Sequence, residues 1–221
     1  MNILASIPFL RPTPNTPKQV ISRSWSEREK VLSKDVNLFC WKRSLDSSIQ
    51  RFLLEVLNRN VESLKYSINQ YNLRQQLGKG MVKWNACTPV SSESFWQDVF
   101  MLANDFMVFS KDGLGSLHLQ IVDNNACSKF HTDGYPLRLF TTYAGPGTEW
   151  LPEEVVDRSA LGTTNERIVK DHRKIQQMNP GDVSILKGEI SNHGKATRGI
   201  VHKSPEIKQT GEKRIILRID I

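Results

Sequence analysis

The chain has 221 residues, with 30 Lys and Arg against 23 Asp and Glu for a formal charge of +7, and 38% of its residues are hydrophobic. That describes one globular domain, or one domain with a tail, large enough to bury a sizeable share of its surface. No apolar run approaches the roughly 18 residues of a bilayer span, and Cys40, Cys87 and Cys127 form no even framework and no Cys-x-x-Cys pair, so a membrane protein, a disulfide scaffold and a zinc ribbon are set aside in favour of a reducing, cytoplasmic setting.

Residues 1–30 carry Pro8, Pro12, Pro14 and Pro17 and no acidic residue before Glu27, which predicts a loose arm rather than a long helix or a central strand. The composition also admits a targeting segment, against which the proline load argues. A single domain is expected over 31–221, mainly helical over 31–110 and a β core over 111–221. Behind an Asp46 N-cap, Ile49, Phe52, Leu53, Val56 and Leu57 recur at helical spacing and predict an amphipathic helix. Residues 61–88 admit a further helix followed by a turn at Gly78 to Gly80. From Ser92, Phe95, Trp96, Val99, Phe100, Ala103, Phe106 and Met107 make a broad apolar stripe, read as core packing rather than a cofactor box.

After Lys111-Asp112-Gly113 the pattern becomes short period-two runs at 116–122, 137–143, 183–186, 199–202 and 214–219, separated by turns such as Asn179-Pro180-Gly181-Asp182. The densest basic stretch, Arg167, Lys170, His172, Arg173 and Lys174, is broken by Glu166 and Asp171 and contains no aromatic residue to stack a base. It reads as a solvated face, and no nucleic-acid partner is expected. Helices first and strands afterwards predict an α+β chain, a helical layer packed on a β sandwich or barrel.

Chemistry concentrates in Phe130-His131-Thr132-Asp133. On an extended chain His131 and Asp133 share a face, so an imidazole and a carboxylate can meet one metal ion. His202, at the end of a later apolar strand, offers the third ligand. Two His and one carboxylate on one side of a metal leave open positions for substrate and dioxygen, the arrangement of non-haem Fe(II) oxygenases. Arg214 opens a strand on which Arg214, Ile216 and Arg218 share a face. An inward guanidinium there needs an acidic partner, and its fork suits a carboxylate such as the far one of 2-oxoglutarate.

His-x-Asp, a later His, an Arg about ten residues beyond it, and Pro180-Gly181-Asp182 introducing the preceding strand resemble the 2-oxoglutarate and Fe(II)-dependent oxygenase superfamily. The resemblance implies a C-terminal double-stranded β-helix (a cupin-like jelly roll) with helices packed outside. It implies Fe(II) held by His131, Asp133 and His202, with Arg214 anchoring 2-oxoglutarate and Arg218 in reserve. A second likeness spans residues 31 to the C-terminus, through Val36 to Arg43, Phe130 to Asp133, Leu137 to Tyr143, Gly145 to Leu151, Leu186 to Glu189 and His202 to Pro205. These stretches resemble the bacterial domain of unknown function 1826 family, a likeness that suggests a link to zinc supply.

Other readings stand beside these. The same ligands, with Cys127 four residues before His131, would suit a zinc-binding carrier; the bland role for Cys127 is a small buried thiol. In a third reading the histidines only hold strands together. His118 alternates with Leu117 and Leu119 and lies opposite their face, and His193 sits in a turn; both are spare ligands. Gly145-Pro146-Gly147-Thr148 lacks the Gly-Lys-Ser/Thr ending of a phosphate loop. It is either a tight turn beside a buried Trp150 or a border of the metal pocket. In the second case Trp150 and Tyr143 wall a small-molecule or protein substrate and Glu149 binds a polar group of it.

Overall fold

The computed structural model describes residues 16–59, 61–190 and 198–221. In chain order these form strands β1 (Lys18–Ser22) and β2 (Val36–Trp41), helix α1 (Ser47–Leu57), strand β3 (Leu64–Asn69), helices α2 (Leu73–Asn85) and α3 (Glu93–Met107), and then strands β4 (Leu114–Val122), β5 (Leu137–Ala144), β6 (Glu149–Leu151), β7 (Gln176–Gln177), β8 (Val183–Lys187), β9 (Val201–Lys203) and β10 (Arg214–Asp220). The result is a mixed α/β fold around a large sheet. Seven strands pair in the order β1-β2-β8-β5-β10-β4-β3, and three more in the order β7-β6-β9. From β4 onward the chain alternates between the two sheets. His131 bridges to β9 in the small sheet, β5 returns to the large one, β6 and β7 lie in the small one, and β8, β9 and β10 alternate again. Among the described residues no helix is long and apolar enough to cross a membrane.

The period-two pattern explains the two faces of the large sheet. Leu117 and Leu119 of β4, Leu137, Leu139 and Tyr143 of β5, and Ile215, Leu217 and Ile219 of β10 pack against Phe52 of α1, Trp84 of α2, and Phe95 and Phe106 of α3 in one continuous core. Phe52, Phe95 and Phe106 are fully enclosed, each contributing about 2–3 kcal/mol of hydrophobic stabilisation. The opposite face looks toward the small sheet, where Leu38, Cys40, Phe140 and Leu186 meet Trp150, Met178 and Ile200. Helix α1 starts as its sequence predicts, with the Asp46 carboxylate accepting a bond from the Ser48 backbone N–H.

Three expectations need correction. Of the expected arm, residues 1–15 lie outside the described residues, and Lys18–Ser22 is a strand pairing parallel with β2, followed by a 3-10 helix over Trp25–Leu32. The mainly helical stretch also contains β2 and β3; nearly all of β2 is buried, and a strand covered on both faces loses the alternation that marks strands in a sequence. The Gly78 to Gly80 turn is instead the middle of α2. A Cβ on Gly80 would come within 2.9 Å of Leu64 Cδ1 and 3.0 Å of Trp96 Cη2, so this glycine lets α2 sit close on β3 and α3.

Candidate metal centre

His131 and His202 are brought together by the backbone. They exchange both hydrogen bonds of an antiparallel pair, His131 N to His202 O at 3.0 Å and His202 N to His131 O at 2.9 Å. Directly opposed residues present their side chains to the same face, and the two rings lie 4.6 Å apart between centroids. Asp133, two residues on, joins them there. His202 Nε2 is 3.5 Å from Asp133 Oδ2 and His131 Nε2 is 3.9 Å from Asp133 Oδ1.

The hydrogen bonds around the rings decide which atoms face the centre. His131 Nδ1 lies 2.8 Å from the Lys129 carbonyl and His202 Nδ1 3.2 Å from the Ile200 carbonyl. A carbonyl only accepts, so in each ring Nδ1 carries the proton and the neutral form leaves the Nε2 lone pair directed inward. Burial, opposed by the Asp133 charge, pushes the His202 imidazolium down to about 4, which keeps that lone pair available at neutral pH. Asp133 accepts a bond from Arg138 Nη1 on Oδ1 at 2.5 Å, while its buried Oδ2 has no hydrogen-bond partner among the described residues. One ligand atom from each of His131, Asp133 and His202 lies within 4.8 Å of the others. Ligands at metal–ligand distances of about 2.1 Å in neighbouring positions are about 3.0–3.4 Å apart, so a small contraction closes the set. The donor set and the orphaned Oδ2 fit a divalent cation.

Arg214 is the second unusual group. It is 0% exposed, yet its only hydrogen bonds among the described residues run from Nη2 to Thr142 Oγ1 at 3.1 Å and Thr148 Oγ1 at 3.2 Å. Among the described residues Nε and Nη1 are buried without partners and no carboxylate pairs with the group, and burial pushes its pKa down to about 10. Arg214 and Thr142 lie on the inner face of the large sheet, the parity that also carries Arg138 and Asp220. The Gly145-Pro146-Gly147-Thr148 turn delivers Thr148. Gly145, at φ +78°, has a backbone that favours glycine, and a Cβ on Gly145 or Gly147 would run into the Lys213 or Met178 carbonyl oxygen. Thr148 and Trp150 share a face about 7 Å apart, and Trp150 pairs directly with His202. The guanidinium that touches Thr148 is thereby brought near the residue beside the candidate ligands.

The remaining expected site residues divide by strand parity. Trp150 is buried on the inner side with Phe140, Leu186 and Ile200. Glu149, its neighbour, must point the other way, and it pairs with Lys203 at 2.9 Å instead of facing the centre. Tyr143 is on the helical side of β5, edge-on to Phe95, with its hydroxyl 2.6 Å from Asp98 Oδ2, and burial raises its pKa well above 10. It cannot wall a pocket on the opposite side of the sheet. Arg218 lies on the inner face within ion-pair distance of an acid, its Nε 3.2 Å from Asp220 Oδ2, although neither atom has a hydrogen-bond partner among the described residues. Cys127 is exposed and outside the converging set. His118 lies opposite the face of Leu117 and Leu119, 2.8 Å from Ser116 Oγ, and burial together with the Arg218 charge pushes it down to about 4. His193 lies outside the described residues.

Sequence reasoning missed Arg138, Asp220, Thr142 and Thr148. Arg138 and Thr142 carried a legible signal, being polar residues of one parity within the apolar run Leu137–Ala144. The choice of their partners carried none.

Comparison with known proteins gives a family and a set of distant structures. A family model described as "Protein of unknown function (DUF1826)" matches residues 23–220. No curated protein sequence matches the chain. Among solved structures, dioxygenase for auxin oxidation 1 from Arabidopsis thaliana, in complex with 2-oxoglutarate, is similar at 11% identity and TM-score 0.48, covering 92% of this chain and 91% of that one. A putative oxygenase from Shewanella oneidensis is similar at 13% identity and TM-score 0.42, covering 93% and 89%. The dioxygenase for auxin oxidation in rice is similar at 8% identity and TM-score 0.42, covering 83% and 72%.

Proposed function

The chain belongs to the DUF1826 family, and from that premise, with the geometry of its own residues, we propose that it is an Fe(II) and 2-oxoglutarate-dependent oxygenase built on a double-stranded β-helix. The alternation of β4 to β10 between two facing sheets supports that fold. His131 Nε2, Asp133 Oδ2 and His202 Nε2 would hold the metal, a two-imidazole, one-carboxylate set that suits Fe(II). Fe(II) bound there supplies oxidative decarboxylation of 2-oxoglutarate to succinate and carbon dioxide by dioxygen, coupled to two-electron oxidation of a substrate.

The chain's own residues do the rest. Lys129 and Ile200 carbonyls hold the two imidazoles in the tautomer that presents Nε2. Arg214 receives the far carboxylate of 2-oxoglutarate on Nε and Nη1, with Thr142 and Thr148 fixing Nη2. Trp150 and Phe140 form an apolar wall that excludes water from this interior.

The observation that carries the reading is the buried Arg214 guanidinium, unpaired among the described residues, on the interior face that also carries Arg138, the partner of Asp133. An enclosed cation with two free donors is unfavourable unless an anion completes it. A metal carrier needs the three ligands but has no use for such an arginine, and a purely structural role explains neither it nor the orphaned Asp133 oxygen. The test is anaerobic addition of Fe(II) and 2-oxoglutarate to the metal-free protein. The expected result is a visible charge-transfer band and, on admitting air, succinate. Metal binding with neither signal overturns the oxygenase reading in favour of a carrier.

A further inference from the structure

We propose that Arg138 is a positioning residue that holds the metal-binding carboxylate to one oxygen. The inference rests on the metal-centre reading above and deepens it. Arg138 is the first inner-face residue of β5, with a side chain only 10% exposed between two buried acids. Its Nη1 donates to Asp133 Oδ1 and its Nε to Asp220 Oδ1, both at 2.5 Å, and the Tyr135 ring lies 5.2 Å from the guanidinium carbon. Asp220 Oδ2 lies 3.2 Å from Arg218 Nε, an ion-pair contact without hydrogen-bond geometry. The backbone of Asp133 is fixed as well, its carbonyl accepting from Glu189 N at 2.9 Å.

This chain of contacts has a consequence for coordination. Of the two Asp133 oxygens, Oδ1 is occupied by Arg138, and Oδ2, the one nearer His202 Nε2, has no hydrogen-bond partner among the described residues. A carboxylate free at both oxygens can ligate a cation through both and fill a second position. With Oδ1 committed, Asp133 supplies one ligand atom and the three-residue set keeps positions open for co-substrate and dioxygen. Arg138 also bridges Asp133 and Asp220, donating to both from one side chain. A guanidinium is suited to this because its rigid fork reaches two acceptors at once.

The test uses the full chain, titrated with Co(II) alone and followed by binding affinity and by the visible d–d spectrum. Wild type is expected to bind one equivalent. Arg138→Gln is expected to bind about 10–100-fold more weakly, with an altered spectrum reporting changed carboxylate ligation. Arg138→Lys keeps the charge on a single-point donor and falls between the two. Asp220→Asn leaves the Arg138–Asp133 bond but removes the negative charge that anchors Arg138, and shifts affinity the same way by a smaller factor. Thermal melting of each metal-free variant corrects for the folded fraction. Wild-type affinity and spectrum in Arg138→Gln overturn the proposal while leaving the metal centre intact; should that variant not fold, the same result in Asp220→Asn overturns it. Failure of wild type itself to bind Co(II) sinks the metal centre and this inference together.

Discussion

Replacing Arg214 by methionine removes the guanidinium while retaining most of the side chain's volume, and its effects should have opposite signs with and without co-substrate. In the ligand-free protein the guanidinium is fully buried, its Nε and Nη1 have no partner among the described residues, and burial lowers its pKa to about 10. At ~1.4 kcal/mol per pKa unit, keeping it charged in the folded state costs about 3 kcal/mol at pH 7. The sign follows from linkage. A depressed folded pKa on a cation means that the folded state binds fewer protons across the alkaline window that opens near pH 10, so below that window the whole penalty is present. Against this, Arg214→Met gives up the bonds to Thr142 and Thr148, together about 1–2 kcal/mol. The metal-free variant is therefore expected to be about 1–2 kcal/mol more stable than wild type, raising Tm by about 2–8 °C for a chain of this size. With Co(II) and 2-oxoglutarate at 100 times its Kd, wild type gains about 2.7 kcal/mol, and the variant gains only what Co(II) gives alone. Differential scanning fluorimetry with metal and with metal plus 2-oxoglutarate reads both effects. An Arg214→Met protein that is several kcal/mol less stable, yet gains as much from 2-oxoglutarate as wild type, would refute the reasoning, since Arg214 would then be a structural group with satisfied partners.

Removing one imidazole by His131→Ala or His202→Ala should lower Co(II) content below a tenth of an equivalent after gel filtration, because two remaining ligands hold a divalent ion about 100-fold less well or worse. Full metal content in either variant would exclude that residue as a ligand. The two helix α2 glycines should respond in opposite directions. Gly78→Ala meets nothing within 4 Å and should stabilise by about 0.5–1 kcal/mol. Gly80→Ala pushes into Leu64 and Trp96 and should destabilise by about 1–3 kcal/mol, as read from urea midpoints. Acid should weaken the metal-free protein: His118 is held neutral with a folded pKa of about 4 against an ordinary 6.5, so its stabilising share is complete above pH 6.5 and drains as pH falls toward 4. Between pH 7 and pH 5 that loss is about 2 kcal/mol. His118→Gln should flatten the dependence measured by urea unfolding at the two pH values; an unchanged slope would show that His118 does not contribute.

The sequence by itself determined the features that are local or ordered along the chain. Period two placed His131 and Asp133 on one face, separated His118 from Leu117 and Leu119, and put Arg214 with Arg218; spacing of 3.6 placed α1 and α3, and the Asp46 cap set the start of α1. The fully buried β2 and the glycine-bearing α2 were obscured because their signals depend on neighbours far away in the chain.

Only the tertiary structure decided which of two equivalent parities faces the centre. On β5 both faces are buried, so alternation separates Tyr143 from Arg138 without saying which looks inward; the helical layer claims Tyr143 and leaves Arg138 to Asp133. On β6 the same division gives Trp150 to the interior and Glu149 to Lys203. The pairing of His131 with His202 and the isolation of Arg214 among threonines are settled likewise by the closing of one sheet on the other. Long-range strand pairing fixes a charge's neighbours, and those neighbours decide whether it is satisfied, strained or poised for a ligand.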